Sequence, residues 1–453
     1  MHCGSGDFWK NGYSFYYEMA THVTKGEGLN VADRWAVRTP LYPLFLSLTT
    51  VGGRNYLWIV VPQAMIGAAT AFCAFLIGRA LFGSVVGLLA SALTATYPYY
   101  VAHDTALQET SLFTLLTALS VFVLLNARQK KSTSTWAFAG LSLGVTVLAR
   151  PTIVPFALGA LVWVWAGSEG TLRPRLYPLL AVLLPFCLTV GSWLARNSFI
   201  LGTPTLTSEV GVQLWVGNNP YTFTHYPGES DDRIVEAASA ALTPGDQAQL
   251  DALAGSEVGE DDWFLGRALD YIRAHPRETA RAAGRKLLAG FSWTLNPARD
   301  RRAQIAYSLS YAPISILGIV GAGLTWRRWR ELSLIYLLFL SFAAVAAVFF
   351  AHTSHRSFLD VYLIVFAAHA LQFLRETPAP GRSGSSRFGD LRDDHEVAEG
   401  LCEKGVEYDS ERAPKKRRRV DRHREDGAGS PVKGHERPTA VPRIVDAGHP
   451  ASQ

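Results

Sequence analysis

The sequence predicts an all-α polytopic membrane protein with about nine transmembrane helices and an outer loop region carrying amphipathic helices. Three observations predict it. Nine stretches, roughly 56–78, 83–102, 110–126, 133–149, 152–167, 176–195, 305–325, 332–350 and 358–374, are long and apolar enough to cross a bilayer. Most hold no Asp, Glu, Lys or Arg, and in hydrocarbon such a segment must satisfy its own backbone groups as a helix. Threaded in order, the loops carrying Arg79, then Arg128, Lys130 and Lys131, then Arg173 and Arg175, then Arg327, Arg328 and Arg330 share one face. The positive-inside rule makes that face cytoplasmic.

The same threading divides the chain. Residues 1–55 form a first extracytoplasmic loop with no apolar run able to carry them across, so a further N-terminal helix is expected upstream. Residues 56–375 are the transmembrane core, including the outer region 196–304. Residues 376–453 hold few large apolar side chains and read as a disordered cytoplasmic tail. Its basic run Pro414–Arg419 is a solvated segment or a contact with anionic lipid rather than a nucleic-acid site. The formal charge of +5 averages these unlike parts. Cys73 and Cys187 fall within helices, Cys3 and Cys402 on opposite sides, and none has metal-ligand spacing. The expected place is the cell membrane, multi-pass, with the active face outside.

Polar chemistry concentrates on the outer loops. Arg38-Thr39-Pro40-Leu41-Tyr42-Pro43 reads as a turn beside a cation, either an anionic-ligand contact or a turn into the membrane with a snorkelling arginine. Asp104 and Glu109 are carboxylates at the ends of successive helices, suited to acid/base work or, for Glu109, to a helix-dipole contact. Farther on come Arg196-Asn197, the turn Gly217-Asn218-Asn219-Pro220, and a basic helix after Pro276 with Arg277, Arg281 and Arg285. That helix reads as interfacial or as a cover over the bundle. His352, His355 and Arg356 occupy a short outer turn. No cofactor is required by this pattern; a divalent metal is possible but no carboxylate spacing supports it.

Several of these residues fall in a recognisable order. Tyr16-x-x-Met19-Ala20, Gly26-x-Gly28, Arg38-x-Pro40-Leu41-Tyr42-Pro43 and Pro62-Gln63-Ala64 are followed by Glu109 and Leu148-Ala149-Arg150-Pro151. Then come Trp193-x-x-Arg196-Asn197, Leu214-Trp215-x-Gly217-Asn218-Asn219-Pro220, and His275-Pro276 with Lys286. Over residues 12–372 this order resembles the C-type membrane glycosyltransferases, and among them the bacterial dolichyl-phosphate-mannose–protein mannosyltransferase-like proteins. The resemblance implies transfer of a hexosyl or pentosyl group from a polyprenyl-phosphate carrier to an envelope lipid, glycan or protein, with inversion and no covalent intermediate. It implies carrier phosphate held by Arg150, Arg196, Lys286 or Arg356, with Arg38 near the cavity and Tyr42, Asn218 and Asn219 in matched binding motifs. The family's catalytic aspartate falls here on Gly12 or Asn11, with Asp7 the nearest preceding acid. Either Asp7, Asp104 or Glu109 supplies the base, or the chain is a catalytically silent relative that binds the carrier. A transporter is the remaining reading, against which stands the absence of internal symmetry.

Overall fold

In the computed structural model, described for residues 8–9, 13–49, 53–167, 172–229 and 231–376, all nine apolar segments are helical. Two short helices come first, α1 (Ser14–Thr24) and α2 (Leu41–Thr49). The first apolar segment is α3 (Leu57–Phe82), ended by Gly83, whose φ of 96° only glycine adopts without strain. The second is broken into α4 (Ser84–Ala95) and α5 (Pro98–Asp104), bent by 55°. The break has a local cause: Pro98 has no N–H to give and forces Tyr97 into an extended backbone. Then follow α6 (Thr110–Lys130), α7 (Thr133–Ala149), α8 (Val154–Gly167) and α9 (Leu172–Leu201).

The outer region supplies α10 (Val210–Gly217), α11 (Glu257–Ala274) and α12 (Pro276–Gly290), with smaller helices at Asp231–Ala240 and Pro244–Ala252. The chain returns through α13 (Arg301–Leu324), α14 (Trp329–Val348) and α15 (Asp360–Glu376). Among the described residues six helices are long and apolar enough to span a membrane, and the bent pair makes a seventh. The two shorter apolar helices, Thr133–Ala149 and Pro151–Gly167, fill the remaining positions of the nine.

Burial separates the spans by role. In α15 every residue from Val361 to Ala368 is buried, which marks it as the central helix of the bundle. In α9, Tyr177, Leu180, Leu184 and Leu188 form an exposed stripe of the kind hydrocarbon covers. Contact between spans uses small and polar residues, because lipid gives apolar side chains no preference for one another. Ser120 on α6 bonds Ser142 and Thr146 on α7 at 2.7 and 2.9 Å. At Gly140 a β-carbon would lie 2.0 Å from the Val182 carbonyl oxygen of α9, so the two helices meet backbone to backbone.

Contacts sort the loops to two ends of the bundle. At one, Arg328 Nη2 donates to Leu81 O at 3.0 Å and Arg128 stands 4.7 Å over the Trp163 ring. At the other, residues from 13–42, 97–109, 150, 193–300 and 351–357 meet, and there a second apolar cluster forms around Trp215, Tyr226, Ile234 and Phe264.

Candidate functional site

Glu109 immediately precedes α6 and Arg150 ends α7, where Pro151 stops the helix and leaves Arg150 extended. The α6–α7 contact therefore brings the two side chains together. Arg150 donates from Nη2 and Nε to Glu109 Oε1 at 2.5 and 3.1 Å, and from Nη2 to Thr110 Oγ1 at 3.3 Å. The guanidinium stands 4.7 Å over the Phe113 ring. Glu109 Oε2 is buried without a hydrogen-bond partner. Burial works to raise the Glu109 carboxyl, and the charge and hydrogen bonds of Arg150, with Arg38 adding to them, more than reverse it. The carboxylate is held ionised, below its usual range.

The 13–42 segment closes over this pair. Arg38 pairs with Glu209 and stands 5.0 Å over the Phe15 ring. Tyr42, almost fully buried, donates to Gln63 Oε1 at 2.7 Å. Gln63 in turn donates to the carbonyls of Asp104 and Ala106 at 2.9 and 2.8 Å, pinning the α5–α6 loop to α3. Tyr16 packs its ring 4.9 Å from Tyr42. Burial first, and then the charge of Glu109, push both tyrosine hydroxyls well above their ordinary range, so they remain protonated donors. Asp104 ends α5, half-buried against Gly67 and the Ser111 hydroxyl. Asp7 lies outside the described residues.

The remaining candidates occupy other settings. Arg196 lies between the rings of Trp193 and Trp35, 4.6 and 5.7 Å away, and donates to the carbonyls of Trp35 and Leu29 at 2.6 and 3.0 Å. It braces the 29–36 segment, whose other anchor is Glu257, accepting from Trp35 N and Ser208 Oγ at 3.0 and 2.9 Å. Lys286 is wholly buried and donates to Asn218 Oδ1, Ala347 O and Val348 O at 3.0, 3.3 and 3.2 Å. It thus holds the carbonyls that end α14, and burial lowers its ammonium to about 8. Asn218 adds its own bond to Val348 O at 2.8 Å, while Asn219 donates to Trp215 O at 2.7 Å and accepts from Tyr221 N at 2.7 Å.

Arg356 has no exposed surface. It pairs with Asp360, donates to Gly290 O and the Tyr307 hydroxyl at 3.0 Å each, and lies 3.8 Å from the Tyr311 ring centre. Arg150, Glu109, Arg38 and Tyr42 are thus brought together, while Lys286, Asn218 and Arg356 close a separate joint between α12, α14 and α15. Among the described residues no group of three or more His, Cys, Asp or Glu is placed to hold a metal ion. Glu209 and Glu257 carry no motif and their partners lie far away in sequence, so nothing in the pattern singles them out; Gln63 lies in the Pro62-Gln63-Ala64 run, and the structure adds its bonds to Tyr42 and to the α5–α6 loop.

Residues 37–193 match the family described as dolichyl-phosphate-mannose-protein mannosyltransferase. No curated protein matches the chain. Among solved structures it is similar to an oligosaccharyltransferase of Archaeoglobus fulgidus tethered with an acceptor peptide. The identity is 12%, over 81% of this chain and 46% of that one, with a TM-score of 0.46. It is also similar to the oligosaccharyltransferase AglB of Archaeoglobus fulgidus in complex with an inhibitory peptide and a dolichol-phosphate, at 10% identity over 81% and 46%, with a TM-score of 0.43. A third is ArnT of Cupriavidus metallidurans bound to undecaprenyl phosphate, at 14% identity over 79% and 73%, with a TM-score of 0.30. The chain spans about half the length of the first two. It is a multi-pass membrane protein that resembles the C-type membrane glycosyltransferases, and the matched stretch is the one that holds Arg38, Tyr42, Asp104, Glu109 and Arg150.

Proposed function

We propose that this chain transfers a hexosyl or pentosyl group from a polyprenyl-phosphate carrier to an envelope lipid, glycan or protein on the extracytoplasmic face. One observation carries the reading. Two arginines, a buried carboxylate and Tyr42 from the family-matched stretch, with Tyr16 from the segment before it, meet at one end of an apolar bundle. The chemistry asks for that combination. The leaving group is a lipid-borne phosphate, and fixed cations lower the barrier most where water is excluded. Arg150 and Arg38 are held by Glu109 and Glu209 before any substrate arrives, so little reorganisation precedes phosphate binding. The Tyr16 hydroxyl remains a donor for a sugar oxygen, while Tyr42, whose hydroxyl hydrogen is given to Gln63, fixes the floor of the site. A carboxylate at the same end deprotonates the acceptor, and direct displacement inverts the anomeric centre. Arg196, Asn218, Asn219, Lys286 and Arg356 brace the surrounding loops in this reading.

A second reading is favoured by a specific feature: Asn11 and Gly12 stand where the family's aspartate is expected. A silent relative would bind the carrier without turning it over. One assay separates the two. The purified full chain in nanodiscs is given undecaprenyl phosphate, then undecaprenyl-phosphate-linked hexose and pentose with extracted envelope acceptors. Saturable carrier binding and transfer, both weakened by Arg150→Met, support the transferase. Binding without product supports the silent relative, and no binding at all overturns both.

A further inference from the structure

Beside the Glu109–Arg150 pair lies a polar pocket that the phosphate site does not use. It is lined by Gly67 and Thr70 of α3, Tyr100, His103 and Asp104 of α5, and Ser111 and Thr114 of α6. The pocket has room for about one water-sized group. His103 is only 6% exposed, and its Nε2 has no hydrogen-bond partner. Its Nδ1 is held by the Gln108 side-chain amide. With that amide donating, the ring proton belongs on Nε2, which makes it a buried donor on a side chain that lines the pocket. Such a group costs stability unless something bonds to it.

Asp104 differs from Glu109 in the way a base must. Glu109 is committed to Arg150, whereas Asp104 lies near Ser111, whose hydroxyl is buried without a hydrogen-bond partner, and has no cation in reach among the described residues. Its carboxylate fills a notch on α3. An alanine β-carbon at Gly67 would lie 2.0 Å from Asp104 Oδ2, so the glycine is what admits the carboxylate there. Ser111 directly follows Thr110, whose hydroxyl receives Arg150 Nη2. His103 is close enough to Arg150 and Glu109 to feel both charges.

We infer that this pocket is the acceptor-hydroxyl subsite, taking one alcohol group, with Asp104 as general base and His103 Nε2–H orienting the acceptor oxygen. The inference rests on the transferase reading above. Asp104 takes the hydroxyl proton as the acceptor oxygen bonds to the anomeric carbon. The bond from that carbon to the carrier's phosphate oxygen breaks, and its electron pair leaves with the phosphate held by Arg150. The room for a single hydroxyl implies that water and small alcohols serve as minimal acceptors.

The test uses the full chain in nanodiscs with undecaprenyl-phosphate-linked hexose and pentose as donors, and water or glycerol as acceptor. Asp104→Asn lowers product formation by about 10²-fold or more, the range expected for loss of a general base, with undecaprenyl phosphate binding unchanged. His103→Gln raises the KM for glycerol more than it lowers kcat. Gly67→Ala, which displaces the carboxylate, reproduces the Asp104→Asn loss in part. Asp104→Asn turning over like wild type overturns the inference and leaves the transferase reading standing. A wild-type chain that does not bind carrier, or forms no product with extracted envelope acceptors, sinks that reading instead, and one that uses those acceptors but neither water nor glycerol overturns the pocket as the acceptor subsite. A turnover-free measurement then decides the pocket: in ¹⁵N-histidine-labelled protein, Gly67→Ala and Asp104→Asn shift the His103 Nε2 resonance if the two side chains share one cavity. An unmoved resonance overturns it.

Discussion

Arg356 and Asp360 are one helical turn apart and both have no exposed surface. A buried pair of this kind adds little net stability, yet removing one partner strands the other's charge. Arg356→Met is therefore expected to destabilise the protein by about 3–5 kcal/mol, while Arg356→Met with Asp360→Asn loses less than the two single changes summed. Thermal unfolding of the four proteins in one detergent measures this, and strict additivity contradicts the coupling. Lys286 gives a pH signature. Its folded value of about 8 lies below the ordinary 10.5, because burial disfavours the charged form. Between those values the unfolded chain binds more protons, so stability rises with pH across that window. Below pH 8 both states are protonated and the full penalty of burial is present. Unfolding temperatures followed from pH 7 to 10.5 show this rise in wild type and not in Lys286→Met; parallel curves refute it.

At the scale of elements, two glycines on neighbouring helices should behave oppositely. Gly140 of α7 meets the Val182 backbone, which cannot step aside as a flexible side chain would. Gly140→Ala is expected to cost about 1–3 kcal/mol, the range for overpacking. Gly191 of α9 faces nothing within 4 Å, so Gly191→Ala is neutral or stabilising by up to about 1 kcal/mol through helix propensity. Unfolding of the two variants side by side checks the α7–α9 packing, and a reversed order rules it out. The outer helix α12 follows the same logic of faces. Arg277, Arg281 and Arg285 fall with the exposed Leu288 on one side, and Lys286, Ala289 and Gly290 on the buried one. The amphipathic pattern is visible in sequence. That Lys286 points inward while Leu288 points outward is not, because the inward choice depends on carbonyls at the end of α14.

For the whole molecule, the threading carries an orientation that labelling tests. Single cysteines placed at Asn55, Thr203 and Ser354 are expected to react with an impermeant maleimide in intact cells. Cysteines at Lys131 and Trp326 are expected to react only after permeabilisation. A mixed pattern within either group refutes the alternating topology. The nine apolar helical segments were legible because hydrocarbon admits only self-satisfied helices, which leave long apolar runs in the chain. The bend at Pro98 and the lengths of the outer helices follow from local proline and capping chemistry, and they too can be read locally. Pairings such as Arg38 with Glu209, or Glu257 with Trp35, join residues separated by more than 170 positions, and no periodicity encodes them.

By itself the sequence determined the helical segments, the alternation of loops between two ends, and the polar and charged residues gathered at one of them. Those follow from local hydropathy, charge bias and the motifs of residues 12–372. Only the tertiary structure decided which of those residues share a cavity. It paired Glu109 with Arg150, turned Lys286 and Arg356 into internal braces, and set Asp104 beside His103 against the notch at Gly67. The reason is physical. A charge in an apolar bundle takes whatever partner the helix packing brings within hydrogen-bond reach, and that packing is fixed by backbone approach at small residues rather than by anything adjacent in the chain.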